Sequence, residues 1–317
     1  MAASLMTRIK PYSSYNSYKT VNTIKIGINP LTWTNDDLPN LGGETSLNEC
    51  LAEGKKAGFA GFELGQKFPR DADVLTPILN AHDLQLVSGW FSGEIYTLSV
   101  DEEIQRLQAH IDLLKIMGCS VVVYCDTSGT IQGQMMTGLS KRPCLQDEEW
   151  DVYSHKLSQL SAYVESCGLM LAYHHHMGTI LQTEAEIDRL MQLTSESVYL
   201  LLDTGHLFYA GGDPVAVASR YGNRIAHVHC KDIRLEVMRH TLNRDRSFLQ
   251  GVLDGVFAMP GDGCLDFLAI FKELKRHQYG GWLVIEAEQD PVVAPSFKMA
   301  QHGYQQILNY AKKSKLI

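Results

Sequence analysis

Long apolar runs are missing from this 317-residue chain: no stretch stays apolar over the ~20 residues a membrane-spanning helix requires. The opening residues, MAASLMTRIKPYSSYNSYKT, lack the apolar centre and cleavage pattern of a secretory signal. The seven cysteines are odd in number and form no CxxC pair, which argues against a disulfide framework and for reduced thiols in the cytoplasm. Positive charge is in deficit. With 28 Lys and Arg against 36 Asp and Glu, the net charge of −8 has the wrong sign for gripping a phosphate backbone, so no nucleic-acid partner is expected. A glycine-rich phosphate loop is absent too, since the first apolar run, IKIGI, passes straight into NPLTWTNDD.

What is present is an ordinary globular composition, 45% hydrophobic and 20% charged, carrying one repeated pattern. A short apolar run is followed by a polar turn and then by a longer segment of helical periodicity. The predicted strands are 24–28, 59–65, 84–90, 119–125, 169–175, 198–203, 224–230 and 281–287. The clearest amphipathic helices fall at 100–117, 147–167, 184–194, 264–278 and 297–313. Eight strands alternating with helices predict an α/β fold, a single (β/α)8 TIM barrel over 24–317. Residues 1–23 read as a flexible or loosely docked extension.

Such a barrel places chemistry at the C-terminal ends of its strands, and alternate strand residues point inward. In RIAHVHCKD, the side chains of His227, His229 and Lys231 share one face, while Ala226, Val228 and Cys230 share the other. In GWLVIEAEQD, Glu286 and Glu288 alternate with Leu283, Ile285 and Ala287. Asp203 closes the apolar VYLLLD, and YHHHMGT sets His174 and His176 at one parity and His175 at the other. Six of the twelve histidines thus fall on or just after three strand ends. Imidazoles and carboxylates without thiolate suit a divalent ion such as Mn²⁺, Co²⁺, Fe²⁺ or Zn²⁺. The expected ligands are His174, Asp203, His229 and Glu286, with His176 as an alternative to His174. His206 is a ligand, an orienting partner or a substrate contact.

Each residue taken alone has a plainer reading. A strand-end Asp is commonly a helix N-cap, a lone interior His is commonly a satisfied core residue, and Glu288 alone reads as solvated. Coincidence at four strand ends is what favours the metal. His175, of the wrong parity, is expected on the rim or behind the ligands. Glu63, Lys67 and Trp33 are candidate substrate contacts, with a cap or salt bridge, a solvated amine and core filling as their plainer readings. Trp90 stands beside Trp33 as a second candidate pocket wall. PGDG at 260–263 reads first as a tight turn.

The stretches DTGH (203–206), HVHCKD (227–232) and GWLVIEAE (281–288) resemble the xylose-isomerase-like sugar isomerase/epimerase superfamily. Within it, INPLTWTNDD, GFELGQKFP, YHHHMGT, DTGHLFYAGGDP, FAMPGDG and VIEAEQDP resemble the inosose dehydratase family of myo-inositol catabolism, from about residue 24 onward. The resemblance implies loss of water from 2-keto-myo-inositol (scyllo-inosose), a cyclic polyol ketone, to give 3D-trihydroxycyclohexane-1,2-dione. It also implies Mn²⁺ or Co²⁺ and, by family description alone, glutathione. The superfamily commonly has a glutamate where His174 stands, whereas the Asp, His and Glu ligands carry over to Asp203, His229 and Glu286.

For that elimination the expected base is Glu288 or His176, the expected acid His206 or His227, and Lys231 steadies the enolate oxygen. The alternative on the same barrel is a metal-dependent keto-sugar epimerase or isomerase. A DNA-repair phosphodiesterase would need a basic groove, and a non-catalytic sugar-binding barrel would not need so many titratable groups at one mouth. A homo-oligomer is compatible with the sequence.

Overall fold

The computed structural model describes residues 23–317, and the extension expected over 1–23 lies, apart from Thr23, outside the described residues. All eight expected strands form. They are β1 (Ile24–Ile28), β2 (Gly61–Leu64), β3 (Gln85–Gly93), β4 (Val121–Asp126), β5 (Met170–His174), β6 (Val198–Asp203) and β7 (Ile225–Cys230). After a short antiparallel pair, β8 (Asp232–Ile233) with β9 (Phe257–Ala258), the last barrel strand is β10 (Gly281–Ile285). Parallel pairing closes the barrel in the order β1-β10-β7-β6-β5-β4-β3-β2.

The strands read as nearly continuous apolar runs because both of their faces are buried. One face of β4 to β6 sends Val122, Tyr124, Leu171, Tyr173, Leu200 and Leu202 into the main core, under the outer helices. The other face sends Val121, Val123, Ala172 and Leu201 into a small apolar plug at the barrel axis, beneath the strand ends. Polar residues on this inner face follow at the C-terminal rim.

Ala226 corrects the expected alternation. It joins Leu201 and Val123 in the inner plug instead of facing the helices with Val228. The cause is a register irregularity: Leu200 pairs with Ile225 but Leu201 pairs with His227, so Ala226 is an extra residue in β7. Beyond this bulge the alternation resumes, and His227, His229 and Lys231 stay on one face.

Local sequence sets the helix boundaries. Ser99 accepts the N–H of Glu102, whose carboxylate accepts the Ser99 N–H, so a reciprocal capping box starts the helix Val100–Ile116. Thr183 and Glu186 do the same for Glu184–Leu193. The helix Leu47–Ala57, interrupted by Gly54, and Ala72–Ala81, which contains Pro77, are not among the clearest expected ones. Among the described residues no helix is long and apolar enough to cross a membrane.

Gly58 ends Leu47–Ala57 in the left-handed region, with φ 115°, and a Cβ there would lie 2.7 Å from the Tyr304 ring. Gly58→Ala is expected to lower the unfolding free energy by about 1–3 kcal/mol, from backbone strain and crowding together. Urea denaturation checks this, and an unchanged midpoint contradicts it.

Candidate active site

Seven of the eight barrel strands, all but β4, bring the groups described below together. Asp203 is both the expected N-cap and a site residue. Its Oδ1 accepts the N–H of His206 at 2.7 Å, starting the short helix Thr204–Tyr209. That leaves Oδ2 buried and without a hydrogen-bond partner among the described residues. Thr204 donates to the Lys231 carbonyl at 2.7 Å and accepts the Lys231 N–H at 3.0 Å, which fixes the end of β7 beside β6. Gly205 in DTGH has a steric reason: a Cβ there would sit 2.6 Å from Cγ of Lys231.

The four expected ligands converge. Asp203 Oδ2 lies 3.6 Å from His174 Nε2 and 3.5 Å from His229 Nδ1, and His229 Nδ1 lies 3.2 Å from Glu286 Oε2. His174 donates from Nδ1 to the His175 carbonyl at 2.7 Å, so its Nε2 lone pair faces the cluster. His229 turns Nε2 to Glu63, 3.1 Å away, and leaves Nδ1 for the cluster, again with no hydrogen-bond partner among the described residues. Two orphaned buried polar atoms, an imidazole with its tautomer already set and a carboxylate thus meet at one point. That donor set fits a divalent cation of the Mn²⁺ to Zn²⁺ group.

Glu63 lines the cavity, and its contacts make it the carboxylate behind the histidines. It accepts from Ser88 Oγ at 2.6 Å, His227 Nε2 at 2.8 Å, His229 Nε2 at 3.1 Å and Asn29 Nδ2 at 2.8 Å. Burial alone would raise its pKa, but the imidazoles of His229 and His227 outweigh burial and hold it well below the usual carboxylate range. Conversely, burial would lower His229, yet Glu63 and Glu286 hold it well above the ordinary imidazole value. Asn29 was not singled out in the sequence. Its amide spans two carboxylates, donating to Glu63 and, at 2.9 Å, to Glu286. It follows β1 directly, so the strand-end rule applied to β1 would have found it.

A second group lies next to the ligands. The Lys231 ammonium is fully buried over the Phe257 ring and ion-pairs with Glu286 and, at 2.8 Å, with Glu288; it also lies 3.0 Å from His206 Nε2. Burial would depress it, but Glu286 and Glu288 raise it above its usual value, so it stays charged. Burial, with Glu286 and Asp37 nearby, pushes the Glu288 carboxyl up to about 7 against the pull of Lys231. His176 donates from Nδ1 to the Met177 carbonyl at 2.8 Å, and burial and the Lys231 charge take it down to about 3, leaving it neutral.

These groups face a cavity of about 260 Å³, at the small end for a ligand pocket. His174, His176, His229, Glu286 and Glu288 line it, and Trp90 walls it with its ring edge-on to His174 and His176 at 5.2 and 5.5 Å.

Several expectations are corrected. Trp33 is 1% exposed, donates to Glu53 at 2.6 Å and packs on Phe62, so it fills the core. Lys67 gives its ammonium to the carbonyls of Gly42, Gly43 and Thr45 and ties down that loop away from the cavity. His227 is buried one layer below His229, against Glu63, and does not line the cavity. Of the two places expected for His175, the rim and behind the ligands, it takes the second: it is fully buried and its carbonyl holds His174. The N–H groups of the PGDG turn hold the protein itself, since Gly261 and Gly263 donate to Asp232 at 2.9 and 3.1 Å.

The pattern of xylose isomerase-like TIM barrels matches residues 51–313. The rhizopine catabolism protein MocC of Rhizobium meliloti is 47% identical over 91% of this chain and 89% of its own. The inosose dehydratase of Clostridium beijerinckii is 45% identical over 87% of this chain and 94% of its own. The chain belongs to the xylose isomerase-like TIM barrel family, within the group that holds the inosose dehydratases. Among solved structures, a xylose isomerase-like TIM barrel/4-hydroxyphenylpyruvate dioxygenase fusion protein has a TM-score of 0.67 at 18% identity; it aligns over 93% of this chain and 44% of that longer one, a likeness of fold alone.

A divalent ion taken up at this cluster would have to displace the proton that the carboxylates hold on His229. Affinity for Mn²⁺ should therefore rise with pH up to the raised His229 pKa, with about one proton released per ion at neutral pH. Calorimetric titration in buffers of different ionisation enthalpy checks this, and proton-neutral uptake contradicts it.

Proposed function

We propose that the protein is a metal-dependent hydro-lyase that removes water from 2-keto-myo-inositol (scyllo-inosose), giving 3D-trihydroxycyclohexane-1,2-dione. One observation carries this reading: four ligand atoms directed at one point and a carboxyl poised near neutrality share the mouth of a cavity small enough for a single six-carbon ring. The 45% identity to an inosose dehydratase over most of both chains supports it.

His174 Nε2, Asp203 Oδ2, His229 Nδ1 and Glu286 Oε2 hold the ion, for which manganese or cobalt suits the imidazole and carboxylate donors. When bound, the ion supplies Lewis acidity for the ketone and its developing enolate. Glu288 is the proton-transfer group. Its carboxylate accepts the proton from the carbon beside the ketone, and its carboxyl then returns that proton to the hydroxyl leaving the next carbon, so water departs and no external acid is needed. A value near 7 suits both halves of that exchange.

Lys231 holds Glu288 in place and keeps an ammonium beside the site as negative charge builds on the enolate. His176 presents Nε2 to a substrate hydroxyl, because its Nδ1–H is already tied to Met177. His206, stacked on His176 with ring centroids 3.8 Å apart and outside the cavity lining, is a positioning residue. The seven free cysteines fit a cytoplasmic enzyme.

Glu288→Gln should retain bound manganese while turnover of scyllo-inosose falls by roughly 10²- to 10⁴-fold. Metal analysis beside proton NMR of the product checks both halves. A dione product supports dehydration, whereas an epimeric ketone, or full turnover by Glu288→Gln, contradicts the assignment.

A further inference from the structure

The cavity lining holds a further polar group with no part in ion binding or proton transfer. Asn35, Asp36 and Asp37, from the loop after β1, form it together. Asn35 is 1% exposed; its Oδ1 accepts the N–H groups of Asp37 at 2.9 Å and Leu38 at 2.7 Å, which fixes the loop. That arrangement leaves the Asn35 Nδ2 amide buried and without a hydrogen-bond partner among the described residues. Such an orphaned donor costs ~1–3 kcal/mol of desolvation unless something in the cavity accepts from it.

Of the two carboxylates beside it, Asp37 is half-buried and Asp36 is exposed at the rim. Asp36 receives the Gln66 N–H and Asp37 the Gln132 side-chain amide, so much of their capacity to accept remains open. Partial desolvation by the cavity walls, with Asp37 next door, raises Asp36, and partial desolvation also raises Asp37. Asp36 feels Glu286 and Asp37 feels Lys231, which places this part of the cavity within electrostatic reach of the ligand cluster.

A buried amide donor beside two carboxylate acceptors is the complement of hydroxyl groups, each of which both donates and accepts. We propose that Asn35, Asp36 and Asp37 form a hydroxyl-reading wall of the same cavity, which receives ring hydroxyls away from the ketone and sets specificity for a fully hydroxylated cyclic ketone. This rests on the dehydratase reading above. The ketone and the two neighbouring carbons are engaged at Glu286 and Glu288, and in so small a cavity the rest of the ring extends toward residues 35–37. A site that pairs buried polar groups with a substrate hydroxyl discriminates strongly against an analogue lacking it, because those groups are then left unpaired.

The test compares scyllo-inosose with a ring-deoxy inosose lacking the hydroxyl farthest from the ketone, using the manganese-loaded full chain. Wild-type kcat/KM should favour scyllo-inosose by ~100-fold or more, and Asp36→Ala/Asp37→Ala should compress that ratio to ~10 or below with bound manganese unchanged. Asp37→Asn, which keeps the side-chain shape, should give an intermediate ratio and serves if the double variant does not fold. A wild-type enzyme indifferent to the missing hydroxyl, or variants that keep the wild-type ratio, overturns the inference. No wild-type turnover of scyllo-inosose strikes the dehydratase reading instead. Both ketones then persist in solution, and the same ratios are read as calorimetric Kd values, with the same outcomes deciding.

Discussion

The carboxylate of Glu63, ionised inside a closed barrel, is the constraint on which the site depends. Removing a carboxylate from water costs several kcal/mol unless charge and hydrogen bonds compensate. Here four donors from three strands compensate it: Asn29 after β1, Ser88 on β3, and His227 and His229 on β7. In satisfying Glu63, His229 is turned so that Nδ1 faces Asp203 and Glu286, and Asn29 is turned so that it also holds Glu286. The orientation of two of the four ligands thus follows from the electrostatics of one residue behind them.

Above that layer the barrel separates two tasks. Two of the proposed ligand atoms, Asp203 Oδ2 and His229 Nδ1, have no hydrogen-bond partner among the described residues, a state that a cation relieves. Beside them, Lys231 and Glu288 form a buried ion pair whose carboxyl is nevertheless lifted to about 7. Against the effect of burial, Lys231 and the histidines hold Asp203 well below the usual carboxylate range, and it thus stands next to a group that exchanges a proton near neutral pH. Their environments push these carboxyls apart, as acid–base chemistry beside a metal requires. Strand ends carry both groups, which gives them positions that loops would not hold as firmly.

The fold was legible because a barrel strand is a short apolar run and a barrel helix an amphipathic one, and all eight strands lie within a few residues of where the pattern set them. The convergence of His174, Asp203, His229 and Glu286 was legible for the same reason, since parity reports which face a side chain takes. Parity does not report depth along the barrel axis. His227 has the right parity and lies too deep, against Glu63. Nor does it survive a bulge, as Ala226 shows. Lys67 and Trp33 lie outside the strands, where the pattern says nothing of direction, and their amine and indole N–H went to the nearest acceptors, the 42–45 carbonyls and Glu53. Glu63 was found but given the wrong neighbour: only three-dimensional pairing reveals that two histidines more than 160 residues away point at it.

The central claim is that one divalent ion sits among these side chains. Anomalous diffraction at the manganese edge, from crystals soaked in Mn²⁺, measures it directly. The account predicts a single strong peak about 2–2.3 Å from His174 Nε2, Asp203 Oδ2, His229 Nδ1 and a Glu286 oxygen. A peak lodged instead between Glu63 and His227, or no peak while those four side chains keep their present positions, would contradict it.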